Sequence, residues 1–420
     1  MALMGFTNPG NDNVLVDLCF PVSMTRLLYE SDPYMARFDA IVEKVEGDWV
    51  ALDRTAFFPG GGGQEMDSGW IEDLEVEEVK EQGDIWHLVP EHAFSVGERV
   101  EAEIDWERRH DLMRGHTGEH LLFSTMSKIN PELELVKIAI TPKKKSFIVR
   151  GEMNWALLAR AQIEANAAIA AQLPVSEMWA SKDSPMVKEV RVKVERIHGD
   201  KIRIINIGDI DKAACAGVHI QNTRELKALL ITKLSSARPA GDYEVEFQTG
   251  RQAIENALSL SIISLQASES LGANPEDLVK ALDNLKDELE NKKVALKRNS
   301  KELLANLEPE KYEGVRIYSG SYQGIDKKVL VDRANQFAAG ERSVCVMSSS
   351  DDKLMLIIAS SKDLAIDCKD VLMETLKAFE GKGGGGKNFA SGGASKPEEG
   401  ANAVKKAVMI VKNAIDTANK

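Results

Sequence analysis

This sequence predicts an α+β multidomain protein, and three observations carry that prediction. Residues 39–100 are short β-rich runs broken by glycine. Residues 101–245 alternate helical and strand-like periodicity. Residues 251–307 are charged and helical, with Leu282, Leu289, Leu296 and Leu303 recurring every seven positions. At 420 residues the chain exceeds what one hydrophobic core serves. The expected units are an N-terminal β-barrel-like domain over 1–100, an α+β domain over 101–250, a helical, coiled-coil linker over 251–310 and a C-terminal α/β domain over 311–420.

Taken in order, residues 39–54 alternate on either side of Glu46-Gly47-Asp48, which reads as a hairpin. A glycine-rich segment, FFPGGGGQEMDSGWI, follows it. Leu112, His116, Leu121 and Met126 lie at near-helical spacing between Asp105 and Lys128, and Pro131 closes that helix. Residues 136–142 and 145–153 read as strands around a Pro142–Lys145 turn, and the Ala-rich run 155–172 as a helix stopped by Pro174. Further strands are expected over 192–197 and 201–207. In the linker a companion seam of Leu278 and Leu285 turns polar at Lys292 and Asn299. That pattern fits a coiled coil of about three heptads or a helix packing on its own chain. The C-terminal part predicts strands over 327–332, 342–348 and 353–360, a helix over 363–379, a glycine-rich loop over 381–400 and a final helix over 401–418.

Composition narrows the class. Hydrophobic residues at 43% and charged residues at 28% are ordinary for a globular chain. No apolar run approaches the roughly 20 residues that span a bilayer, so no membrane partner is expected. The opening MALMGFTNPGNDN lacks a basic region followed by an apolar one, so no secretion signal is expected. Cysteines at 19, 215, 345 and 368 are sparse and irregular, which disfavours a disulfide framework and favours a reduced, cytoplasmic compartment. A net charge of −13 argues against general affinity for nucleic acid. Residues 382–420 run the other way, with seven lysines against three acids, a local basic patch.

His116-Thr-Gly-Glu-His120 places two imidazoles one helical turn apart on one face. Cys215-Ala-Gly-Val-His219 adds a thiolate and a third imidazole. Each pair alone is a weak signal. Together they form a Cys/His₃ set of borderline-soft ligands that suits Zn²⁺, one per chain. HTGEH also fits the inverted zinc-protease motif, with Glu119 as general base, although a thiolate ligand is atypical of that chemistry.

Two glycine clusters flank this set. Gly60–Gly63 precede Gln64, whose amide offers both donor and acceptor where the backbone can approach a ligand. Gly381–Lys387 nearly matches a nucleotide P-loop, but Asn388 stands where a hydroxyl would hold Mg²⁺, and a helix is expected before it where a strand is needed. What remains is a glycine-rich turn whose Lys382 and Lys387 suit a phosphate backbone.

Read together, HTGEHLL, CAGVH and FFPGGGGQEMDSG resemble the alanyl-tRNA synthetase editing-domain family, in its freestanding long form (AlaX-L). The family carries H-x-x-x-H at a helix start, C-x-x-x-H about a hundred residues on, and an upstream glycine-rich motif. In this chain that motif supplies Gly62, Gly63, Gln64, Asp67 and Gly69. The helical segment and GKGGGGKNFASGGA resemble its DHHA1-type C-terminal domain, so the likeness covers nearly the whole chain. No block that would hold ATP and alanine is found. The usual C-G-G-T-H is changed at Ala216 and Val218, which spares the ligands but leaves the rejected amino acid open.

The resemblance implies a trans-editing hydrolase that removes serine or glycine from mischarged tRNA(Ala), with zinc held by His116, His120, Cys215 and His219. Gln64 and Thr117 are then the candidate catalytic side chains. Gly61, Gly62, Gly63, Asp67 and Thr141 are candidates to bind the substrate near the zinc, with Lys382 and Lys387 on tRNA phosphates. Gln64, Thr117 and Thr141 are the candidates to read the seryl hydroxyl, because a site that bonds it rejects alanine. Further phosphate contacts are expected from Lys143–Lys145 and Arg150, and a homodimer from the linker and C-terminal domain. Three alternatives stand beside this: a tRNA-binding, dimerising protein with a structural zinc, a threonyl-type editing domain, and the protease. Only the protease needs Glu119, which the editing reading leaves on the helix surface.

Overall fold

The computed structural model describes residues 25–191 and 200–418. Cys19, the chain start and the strand expected over 192–197 lie outside the described residues. The chain divides into two compact units, one reaching Ile263 and the other beginning at Ser264.

The first unit opens with β1 (Arg26–Leu27) and α1 (Leu28–Ser31), then β2 (Arg37–Glu46), β3 (Trp49–Leu52), β4 (Arg54–Thr55), β5 (Gly69–Ile71), β6 (Leu74–Val76), β7 (Glu78–Gln82), β8 (Asp84–Leu88) and β9 (Arg99–Ile104). β2 and β3 form the expected hairpin, Glu46 opposite Trp49, with Gly47 at φ +60° in its turn. Seven strands make one sheet in the order β6-β5-β9-β2-β3-β8-β7. Its edge strands β6 and β7 are separated by Glu77 alone, so the sheet curls back on itself without closing a ladder. β2 alternates buried and exposed positions, and Val42, Val50, Leu52, Phe57, Ile71 and Ile104 fill the interior. The sheet continues through Ile104, a few residues past the expected boundary at 100.

Next come α2 (Trp106–Ile129), β10 (Glu134–Ile140), β11 (Lys145–Arg150), α3 (Trp155–Ala170), β12 (Val175–Ser181), β13 (Lys201–Ile207), β14 (Asp211–Ala214), β15 (Leu229–Ser236) and β16 (Asp242–Thr249). An antiparallel sheet, β10-β11-β16-β15, packs its apolar face on α2 and α3 around Leu112, Leu121, Phe147 and Phe247. β12, β13 and β14 form a separate small sheet. Asp105 caps α2 by accepting from Arg108 N–H at 3.1 Å. Gly118 lets this helix approach the sheet, because a Cβ there would stand 2.9 Å from Thr249 Cγ2. Every residue from Gly115 to Met126 is buried. α2 is therefore a central helix, without the wet face that an amphipathic reading assumes.

α4 (Gly250–Leu271) and α5 (Leu278–Ala305) are the long helices expected in the linker. The seam leucines of α5, from Leu282 to Leu303, are 39–58% exposed on the single chain. The second unit continues with β17 (Glu310–Tyr312), β18 (Val315–Tyr322), α6 (Lys327–Ala338), β19 (Ser343–Ser350), β20 (Leu354–Ser360), α7 (Cys368–Lys377), β21 (Lys382–Gly385), β22 (Phe389–Ala394) and α8 (Gly400–Ala418). Its six-stranded sheet runs β17-β18-β19-β20-β22-β21, with α7 and α8 over one core and α6 over the other.

Two expectations are corrected in this unit. Residues 327–332 are helix and not strand. Asp326 caps them by accepting from Val329 N–H at 2.8 Å, and Val329, Leu330 and Ala334 are buried at helical spacing. The glycine-rich segment 381–400 is largely a hairpin, β21 on β22, and not a loop. A Cβ at Gly383 would meet Gly392 Cα and Leu372 Cδ2 at 2.8 Å, so glycine serves the close approach of two strands and a helix.

Candidate metal centre

His116 and His120 project from one face of α2, as their spacing requires. Cys215 and His219 come from the loop after β14. Each of the four offers one ligand atom, and these atoms lie within 4.8 Å of one another. Cys215 Sγ is 3.4 Å from His116 Nε2 and 3.3 Å from His219 Nε2. The three imidazoles are buried.

Outer partners aim every ring. His116 Nδ1 pairs with Gln64 Oε1 at 2.8 Å, His120 Nδ1 with Asp211 Oδ2 at 2.8 Å, and His219 Nδ1 with Thr117 Oγ1 at 3.1 Å. With each Nδ1–H donated outward, all three Nε2 lone pairs can converge on a metal. Asp211 is itself held by Ser124 Oγ and by Arg191 Nη2 at 3.3 Å. Burial would raise the Cys215 thiol, but His116 and His219 beside it hold it well below its usual range, which favours the thiolate. Burial alone would lower His120, yet its bonds to Asp211 and Cys215 push it up to about 10. A divalent cation here would displace that proton, and the residues present fit zinc in number, type and orientation.

Gln64 reaches His116 because the glycine loop is stitched to β10. Gly61 and Gln64 exchange backbone hydrogen bonds, Ile140 N–H donates to Gly63 O, and Glu65 N–H donates to Ile140 O. Gly63 sits at φ +91°, where a Cβ would lie 2.6 Å from Ile138 O. The loop is thus a fixed arm. Its amide orientation is set by two donors to Oε1, His116 Nδ1–H and Val218 N–H, which leaves the buried Nε2 without a partner among the described residues. Gly61, Gly62 and Gly63 are exposed beside it.

Gly217 admits the His116 ring, since a Cβ there would stand 2.3 Å from His116 Nδ1 and 3.1 Å from Gln64 Oε1. Gly217→Ala is expected to tilt His116 and weaken zinc binding about 10–100-fold, the usual cost of disturbing a ligand's support, measured by chelator competition.

Two expected placements, those of Glu119 and Asp67, are corrected. Glu119 is a fully buried side chain, not a surface one, because α2 is enclosed on all sides. Among the described residues both its oxygens lack a hydrogen-bond partner, and burial raises its carboxyl. Asp67 does not face a ligand. It is 1% exposed, pairs with the buried Arg109 guanidinium and accepts from Phe58 N–H at 2.6 Å. Thr141 caps a turn, donating to Lys144 O and accepting from Lys144 N–H. Thr117 is occupied by His219 and Ile220 N–H. Lys145 is buried against Asp111, Lys144 pairs with Glu244 and Arg150 with Asp242, while Lys143 stays exposed. Ala216 is exposed and Val218 lies in the core, so the departures from the family pattern leave the ligands' approach open.

Sequence reasoning missed Asp211, Arg109 and Arg203. Each is an ordinary charged residue whose partner is distant in the chain, and no local pattern marks it.

Comparison with known proteins agrees with this geometry. A family model described as class II (A) tRNA synthetases matches residues 31–108. One described as the second additional domain of threonyl and alanyl tRNA synthetases matches residues 202–240, which include Cys215 and His219. An alanine–tRNA ligase from Ignicoccus hospitalis is 33% identical over 87% of this chain and 41% of its own length. The alanyl-tRNA editing protein AlaX-L from Pyrococcus horikoshii is 29% identical over 90% of this chain and 96% of its own length. A crystal structure of the C-Ala domain of Aquifex aeolicus alanyl-tRNA synthetase is 22% identical over 26% of this chain, at a TM-score of 0.23. The chain spans about two fifths of the length of the alanine–tRNA ligase. The two family-model matches make this chain similar, over residues 31–108 and 202–240, to the class II tRNA synthetases and their second additional domain. Within that class, the chain is similar over most of its length to alanine–tRNA ligases and to the alanyl-tRNA editing protein AlaX-L.

Proposed function

We propose that this chain is a trans-editing aminoacyl-tRNA hydrolase that frees tRNA(Ala) from serine or glycine attached in error. The observation that carries the reading is the convergence of His116, His120, Cys215 and His219, with each imidazole aimed by its own outer partner. The AlaX-L relative, matched over nearly its full length, supports it.

A bound zinc would supply Lewis acidity, polarising the ester carbonyl or acidifying a water. The chain's own residues do the rest. Four protein ligands would fill a tetrahedral site, so either one yields or the metal only holds the substrate. Gln64 Nε2 is a donor already desolvated beside the cluster, placed to meet an oxygen of the aminoacyl group, either its hydroxyl or its carbonyl. A site whose donor expects the seryl hydroxyl leaves that donor unpaired when alanine occupies it, which costs about 1–3 kcal/mol. The exposed backbone of Gly61–Gly63 forms the wall over His116. Thr117 acts as a positioning residue through His219.

Lys382 and Lys387 carry the tRNA backbone in this reading, on the basic 382–420 stretch, and the exposed α5 seam pairs two chains. Lys382→Glu with Lys387→Glu is expected to weaken tRNA binding and to lower the salt slope by about 1 per lost phosphate contact, while deacylation at saturating tRNA is kept. Affinity titrations at several salt concentrations test it. An unchanged slope contradicts that assignment.

A further inference from the structure

The loop that carries Cys215 and His219 is bonded at its far end to distant elements, Val218 N–H donating to Gln64 Oε1 and Ile220 N–H to Thr117 Oγ1. Its backbone is held by a side chain of β13. Arg203 is 8% exposed, and its Nη1 donates to Gly217 O at 2.7 Å and to Cys215 O at 3.3 Å. On the other edge of the same guanidinium, Nε donates to Glu177 Oε2 at 2.8 Å, and Nη2 reaches the same oxygen at 2.5 Å. The backbone completes the clasp, because Cys215 N–H donates to Arg203 O at 3.1 Å. Gly217 N–H then points back to Cys215 Sγ at 3.4 Å.

We infer that Arg203, braced by Glu177, is the positioning residue that fixes the Cys215 thiolate and the Gly217 turn against His116. The inference rests on the metal reading of the four-residue cluster. Three physical arguments support it. A planar guanidinium serves two carbonyls and one carboxylate at once, which a lysine ammonium cannot do at these separations. Losing the guanidinium strands two loop carbonyls and frees the turn in which a Cβ at Gly217 has no room. A shift of that turn moves both Sγ and the contact with His116. Glu177 lies on the more exposed side, so it orients the arginine without touching the ligands.

The test uses the full-length protein and two readouts: Zn²⁺ affinity by chelator competition, and the absorption spectrum of the Co²⁺-substituted protein, whose thiolate band reports the sulfur's distance and angle. Arg203→Lys and Arg203→Met are expected to lose about 10–100-fold in affinity, the cost of removing an outer partner, with a weakened or shifted thiolate band. Glu177→Gln should shift both readouts in the same direction by less, and it keeps the inference testable if the arginine variants do not fold. Ile202→Ala is the control. It removes a buried side chain from β13 and should lower the melting temperature while leaving affinity and spectrum unchanged. Folded Arg203 variants with wild-type affinity and spectrum would overturn the inference, as would an equal effect from Ile202→Ala. If the wild type itself takes up no Zn²⁺ or Co²⁺, the metal reading has failed. If the wild type binds and the variants match it, this inference alone has failed.

Discussion

Asp67→Ala is expected to destabilise the first unit by about 3–5 kcal/mol, because it leaves a buried guanidinium without its counter-charge. Asp67 and Arg109 have fully buried side chains. The arginine also donates to Pro33 O at 2.9 Å and to Ala56 O at 2.5 Å, so it ties the connecting segments around Pro33, Ala56 and Asp67 to α2 from within. Phe58 N–H loses its acceptor in the same substitution. At about 2–4 °C per kcal/mol for a unit of this size, thermal unfolding should shift visibly. Arg109→Met should be similarly costly. The double change Asp67→Leu with Arg109→Met should recover much of the loss, since no charge is then left buried. Single variants as stable as the wild type would show that the motif aspartate has some other duty. The glycine arm that carries Gln64 lies between Phe58 and Asp67, so loss of this clasp should also loosen the metal centre.

Cys215→Ala is expected to bring bound zinc from one per chain toward none, a larger loss than the roughly 10–100-fold that outer partners cost. The thiolate is the one group of the set that carries a negative charge, and Asp211 is the one carboxylate among the described residues bonded to an imidazole of the cluster. Asp211→Asn should keep the fold yet weaken the metal by the smaller factor, because it spoils the orientation of His120 and not a ligand. Metal analysis after dialysis separates the two. Equal zinc in Cys215→Ala and wild type would contradict the assignment of this cluster.

The four residues of the cluster were legible because helical spacing alone puts His116 beside His120, and a second His/Cys window stood out in a chain poor in both. The glycine arm was legible as a motif, but its rigidity was not, since the bonds that fix it come from β10, some 75 residues away. Glu119 was misread because the surface of a helix was assumed where both neighbouring sheets enclose it. Asp67 was placed at the substrate because its motif adjoins the site, whereas a buried Arg109 claims it. Residues 327–332 carry a short apolar run, Val329–Val331, that looks like a strand, and only the Asp326 cap and the burial of Ala334 reveal the helix. Arg203 and Asp211 left no trace in local pattern, because their work is done across distances the sequence does not display.

Release of labelled serine from seryl-tRNA(Ala), beside alanyl-tRNA(Ala) as the control, tests the central claim most directly. The wild type should free serine rapidly and spare alanine. His116→Ala or chelation should slow release by at least about 10³-fold, the worth of several kcal/mol of metal-assisted stabilisation, and zinc should restore the chelated sample. Intact seryl-tRNA(Ala) in the presence of zinc-loaded protein that binds the tRNA would contradict the account and make the metal structural.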